Sequence, residues 1–79
     1  MKNLGPKSRE MLRQVKISTL EEIQELGAVT VYLKLQKKFP EVTLNLLWAL
    51  EGAIQNCHWN ELTPARKAEL KAQLANDIQ

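Results

Sequence analysis

Residues 44–54 constrain the fold more than any other stretch of the chain. Leu44, Leu46, Leu47, Trp48, Ala49, Leu50, Ala53 and Ile54 point in nearly every direction around a helix. A helix that is apolar all round is a buried one, so this segment is expected to be the central element, with other helices around it. Thr43 is placed to cap its start. Gly52 inside it costs about 1 kcal/mol against alanine, and its small size would let a neighbouring helix approach closely.

The rest of the chain supplies those neighbours. Helical periodicity runs almost throughout, and period-two alternation is scarce. Pro6 suits the first turn of a helix, where its missing donor costs nothing; Met11, Leu12 and Val15 form that helix's apolar stripe. Residues 17–19 form a link. Thr19 with Glu22, or Ser18 with Glu21, fits a capping box opening a second helix, with Leu20, Ile23 and Leu26 inward and Gly27 as its stop. A third helix is expected from Ala28 to Phe39, carrying Ala28, Tyr32, Leu35 and Phe39 on one face and Lys34, Lys37 and Lys38 on another. Pro40 ends it, because the residue before a proline is pushed out of the helical region. After a turn over residues 57–62, with Trp59 folded over the core, Thr63-Pro64 opens a last helix bearing Leu70, Leu74 and Ile78. Ala65, Ala68, Ala72 and Ala75 add a small-residue stripe to it. The expected fold is all-α: a compact bundle of about five short helices, in one domain spanning residues 1–79.

Composition narrows the function. The net charge is only +2, so a polyanion partner is not announced by the chain as a whole. The charges come in blocks. Lys2, Lys7, Arg9, Arg13 and Lys16 face only Glu10 in the opening segment; Glu21, Glu22 and Glu25 follow; Lys34, Lys37 and Lys38 form a second basic cluster. Such blocks are usually solvated helix faces and less often anion-binding surfaces. The single cysteine, Cys57, excludes an intramolecular disulfide. The polar start lacks a signal-peptide core, and the apolar run from Leu46 to Leu50 is far too short to span a bilayer. A cytoplasmic location without membrane attachment is therefore expected.

No catalytic inventory can be assembled. Cys57 and His58 are adjacent, but adjacent residues rarely converge on one site, and two ligands fall short of a closed zinc site. Glu21, Glu22 and Glu25 read as the solvated face of a short helix. No phosphate-binding glycine loop occurs, and nucleophile, base and oxyanion donors are not available together. The expectation is a protein without enzymatic activity, cofactor, metal or small-molecule substrate, acting by binding a macromolecule.

Two segments carry resemblances. Asn3-Leu4-Gly5-Pro6-Lys7-Ser8 resembles the hairpin of the helix-hairpin-helix family, whose turn reads glycine, apolar, glycine, then often proline, lysine and a small hydroxyl residue. In that family, amides at the turn contact a nucleic-acid phosphate. A helix N-terminus offers the unpaired donors and positive dipole end that this needs. The resemblance makes Gly5, Lys7, Ser8, Arg9 and Arg13 the candidate nucleic-acid-binding residues. Asn3 departs from the pattern by replacing the first glycine, and only Met1 and Lys2 precede the turn. The plainer reading is that Gly5-Pro6 starts a helix while Leu4 enters the core.

The same segment, with Leu26-Gly27-Ala28-Val29 and the stretch from Val42 to Ala53, resembles the C-terminal domain of TfoX-type proteins, also called Sxy. The order and spacing of the three blocks match over essentially the whole chain. TfoX-type proteins regulate natural competence by promoting transcription of DNA-uptake genes. The resemblance thus implies a regulatory module whose partner is DNA or a transcription-related protein. The alternative is a pure protein-interaction domain with no nucleic-acid affinity. On the DNA reading, charge reversal at Lys7 and Arg9 should matter more than reversal at Lys37 and Lys38.

Overall fold

A computed structural model describes residues 4–78, with the backbone alone for Trp59, Asp77 and Ile78. These residues form five α-helices: α1 (Pro6–Gln14), α2 (Leu20–Leu26), α3 (Ala28–Lys38), α4 (Leu44–Gln55) and α5 (Pro64–Ile78). A short 3-10 turn, Trp59–Glu61, lies between α4 and α5, and no strand occurs among the described residues. The all-α expectation holds. The expected position of the Trp59 side chain lies outside the described atoms, as does that of Ile78.

α4 is the centre, as its apolar circumference requires. It packs against α2, α3 and the 3-10 turn, and α3 in turn packs on α5. Leu47, Trp48, Leu50, Gly52 and Ala53 are buried. The first turn departs from the all-round pattern, because Leu44 is 37% exposed. Leu12, Ile23, Val31, Leu35 and Leu70 complete the core from the surrounding helices. α1 is anchored by Leu4 on one side and by Leu12 and Ile17 on the other, all buried.

Helix ends follow local chemistry. Thr19 caps α2: its hydroxyl accepts from the Glu22 amide at 3.2 Å and donates to the Glu22 carboxylate at 3.1 Å. The structure thus uses Thr19 with Glu22 rather than Ser18 with Glu21. Thr63 caps α5 in the same way, accepting from the Arg66 amide at 3.1 Å. Thr43 sits at the α4 N-cap with no side-chain hydrogen bond to the helix, contrary to the capping expectation.

α1 ends on a left-handed residue. Lys16 has φ +65°. The Ile17 amide donates to the Leu12 carbonyl at 2.9 Å and the Lys16 amide to the Arg13 carbonyl at 3.0 Å. This is a Schellman closure, with the buried Leu12 and Ile17 at the positions where that motif places its apolar pair. It places a lysine where glycine is preferred, at a cost of about 1 kcal/mol. Asn56 closes α4 with φ +54°, a conformation asparagine tolerates.

Gly27 joins two helices by itself. Its amide closes α2 onto the Ile23 carbonyl at 2.8 Å, and its carbonyl starts α3 by accepting from Val31 at 3.1 Å. Its φ of +89° and ψ of +152° belong to a region that glycine alone enters without strain. A Cβ there would meet no atom within 4 Å, so the penalty for a side chain is conformational rather than steric. Gly27→Ala is therefore expected to cost about 1–2 kcal/mol, the lower half of the range for such backbone strain. Chemical denaturation checks this; a loss below about 0.5 kcal/mol, the usual surface scale, would mean that the α2–α3 junction relaxes freely.

Candidate functional site

The candidate residues Gly5, Lys7, Ser8, Arg9 and Arg13 all belong to the start and body of α1. Gly5 is the N-cap, with φ −79° and ψ 179°, ordinary extended backbone. Among the described residues, nothing lies within 4 Å of where its Cβ would be. The internal packing therefore does not demand glycine at this position. Pro6 has no amide hydrogen, and the helical ladder opens with Arg9 donating to the Gly5 carbonyl at 3.0 Å. The Gly5 N-cap has no side chain with which to satisfy the first-turn amides, and no acidic residue offsets the dipole there. Leu4 is buried, so the plainer helix-start reading accounts for that residue. Asn3 lies outside the described residues, and no helix precedes Pro6 among those described.

Helical geometry divides the cations of this end. Residues two apart on a helix do not face each other. Lys7 and Ser8 line a groove of about 330 Å³ together with Met11, Val42, Thr43 and Leu46. The N-termini of α1 and α4, neither capped by a side chain, both border this groove. Glu41 and Asn45 line it as well. Arg9 and Arg13 are four apart and share a different, exposed face. Arg13 pairs with Glu10 at 3.2 Å, but both side chains are more than half exposed, and such a pair contributes little.

A second cleft, of about 450 Å³, opens where Gly27 turns α2 into α3, and it reaches across to α4 and α5. Leu26, expected inward, is 40% exposed on its wall. Glu51 and Arg66, both lining it, make a polar contact that helical periodicity does not reveal. Glu51 is 3% exposed inside the otherwise apolar α4. It accepts from Arg66 Nε at 2.9 Å and from the Gln55 side-chain amide. The hydrogen bond that Arg66 donates to Glu51 raises the Arg66 pKa; burial opposes this, and the charges of Glu51 and Glu69 reinforce it. Lys67 and Lys71 on the same helix place their ammonium groups 5.6 and 6.0 Å from the Trp48 ring centre. These contacts fix α5 on α4. The available signal in the sequence was Arg66 itself, a cation in the first turn of a helix, where the dipole disfavours it.

Cys57 is half-buried after α4. His58 turns its Nδ1 to the Asn60 side-chain oxygen at 2.7 Å, within the 3-10 turn. Among the described residues, no three His, Cys, Asp or Glu side chains are grouped to hold a metal ion. Burial raises the pKa of the Tyr32 hydroxyl, which lies in the core. Among the described residues, no helix is long and apolar enough to cross a membrane.

The fold and its surfaces define a small helical domain built around one buried helix, with cations along α1. The chain belongs to the TfoX C-terminal domain family, which it matches over residues 1–74. Two crystal structures of Listeria monocytogenes proteins are similar to it. An uncharacterized protein in a triclinic form is 32% identical, with a TM-score of 0.86, over 90% of this chain and 81% of that one. A protein of unknown function in a tetragonal form is 29% identical, with a TM-score of 0.88, over 100% of this chain and 96% of that one. No curated protein matches the chain.

Proposed function

We propose that this domain is a non-enzymatic regulatory module of the cytoplasm that docks on the backbone of duplex DNA with the N-terminal end of α1, in the service of competence-type transcription control. The observation that carries the reading is the start of α1. A glycine whose Cβ position meets no atom of the described residues within 4 Å precedes a helix whose first turn holds no acid and no capping side chain. Lys7, Ser8 and Arg9 follow at once. Backbone amides at such a terminus suit one phosphate, and the flanking cations suit its neighbours. Contacts of this kind carry no base information, so binding is weak, indifferent to sequence and steeply salt-dependent.

Titration of labelled duplex at low salt tests the reading. Lys7→Glu with Arg9→Glu removes cations from both flanks of the helix start and is expected to abolish binding. Gly5→Ala is the more discriminating variant. The described residues leave room for its methyl group, so the stability cost should not exceed about 1 kcal/mol, the usual scale for alanine at an N-cap. Binding should nevertheless weaken, because the methyl group obstructs close approach of a phosphate to the backbone. No binding by the parent defeats the proposal.

A second reading has its own support. The groove between α1 and α4 has an apolar floor of Met11, Val42, Leu46 and Ala49, and Leu44 stands exposed beside it. That surface suits a protein partner without nucleic acid. If the parent ignores duplex at low salt, this reading takes precedence.

A further inference from the structure

The second basic cluster, Lys34, Lys37 and Lys38, is twenty residues distant from α1 in sequence, yet the fold brings the two together. Lys38 Nζ donates to the Gln14 carbonyl at 3.4 Å. This sets the C-terminal end of α3 against the C-terminal end of α1, where Arg13 and Lys16 flank Gln14. Lys34, Lys37 and Lys38 share one face of α3 by their spacing, and Arg9 and Arg13 share one face of α1. All six cations, Lys16 included, are exposed.

We propose that Arg9, Arg13 and Lys16 of the α1 side and Lys34, Lys37 and Lys38 of α3 form one continuous phosphate-contacting edge, so that duplex nucleic acid is held along both helices rather than at the α1 start alone. The proposal rests on the duplex-binding reading above and extends its surface.

Two independent observations support it. The first is charge segregation. The chain has 11 Lys and Arg and 9 Asp and Glu, for a net charge of +2. Residues 9–16 and 34–38, which make up the edge, hold six of the cations and one acid, Glu10; the rest of the sequence holds five cations and eight acids, a net −3. The modest overall charge thus conceals a strongly cationic side. From Arg9 to Lys16 the α1 side of that edge is about 10 Å long, or roughly three phosphates along one strand.

The second observation is the backbone at Lys16. Its φ of +65° is left-handed, and the Schellman closure around it would be easier for glycine. A residue held against its backbone preference points to a role for its side chain. At this position the side chain contributes a cation to the junction between Arg13 and Lys38. Lys38 itself also satisfies a free carbonyl of the α1 terminus, so its replacement would mix structure with binding. Lys16, Lys34 and Lys37 provide the cleaner test.

The experiment measures duplex affinity against salt concentration for the parent, for Lys16→Gly, and for Lys34→Gln with Lys37→Gln. Each phosphate contact contributes about 0.9 to the slope of log affinity against log salt. Lys16→Gly is expected to keep or raise the melting temperature while flattening the slope by about 0.9, and the α3 pair to flatten it by about 1.8. A structural role alone would move melting temperature and leave the slope unchanged. If the parent binds, Lys7→Glu with Arg9→Glu abolishes binding, and both of these variants keep the parental slope, the extended edge is overturned while the α1 reading stands. If the parent does not bind duplex but does bind vesicles containing anionic phospholipid, both readings fall.

Discussion

Leu47→Ala is expected to destabilise the domain by about 2–5 kcal/mol, the range for truncating a buried leucine. Leu47 has no exposure and lies on the helix that touches most of the others. Truncation removes its transfer free energy and leaves a cavity that close-packed neighbours fill only in part. The loss is large beside the whole: a chain of 79 residues holds on the order of 4–12 kcal/mol of net stability. Leu44→Ala is the natural control. It lies one turn earlier on the same helix, but 37% of it is exposed, and its removal should cost less than about 1 kcal/mol. Denaturant titration of both variants checks the pair. Equal small effects would place the core elsewhere.

The contrast between Leu44 and Leu47 shows what periodicity conveys. The apolar run identified the central helix, because nothing but burial explains leucines in every direction. It could not say which end projects beyond its neighbours; that depends on where α2 and α3 lie. Leu26 misleads for the same reason. Its spacing from Leu20 and Ile23 suggests an inward side chain. Gly27 turns the chain straight into α3, however, and leaves the last turn of α2 overhanging the cleft. Helix starts were readable where a hydroxyl or proline marks them, as at Thr19, Pro6 and Pro64. Asn56 closes α4 in a conformation that asparagine tolerates, but the apolar periodicity did not mark the stop there. Lys16 carried no stop signal, since lysine seldom takes the left-handed conformation.

The candidate site was legible as a set of residue types and not as a surface. Gly5, Lys7, Ser8, Arg9 and Arg13 are consecutive enough to read as one patch. The helix separates them: Lys7 and Ser8 line the groove toward α4, and Arg9 and Arg13 share another exposed face. Conversely, Lys37 and Lys38 looked remote from α1, and the Lys38 contact with Gln14 draws them in. Sequence distance thus both overstated and understated proximity. Family membership agrees with the fold through α4 and the Gly27 junction, which are structural features, so it secures the architecture before it says anything of a partner.

The Glu51–Arg66 contact yields the second large effect, and its asymmetry is the informative part. Arg66→Ala should destabilise by about 3 kcal/mol, because it strips the partner from a carboxylate that is 4% exposed, in the middle of the core helix. The value lies at the low end for broken buried pairs for two reasons. The Arg66 side chain is 34% exposed, so water reaches the vacated position, and Gln55 still donates to Glu51. The cap of α5 survives the substitution, since Thr63 accepts from the backbone amide of residue 66. Glu51→Leu should cost less. It leaves no buried charge, and the freed guanidinium can swing into solvent, losing only the dipole compensation at the α5 start. Replacing both residues by apolar side chains of similar volume should come close to the parent, as expected where desolvation offsets most of the attraction. A double-mutant cycle in chemical denaturation measures the coupling between them. If Glu51→Leu proves the more damaging single change, Glu51 is held by contacts beyond Arg66 and Gln55, and the account of how α5 docks on α4 must change.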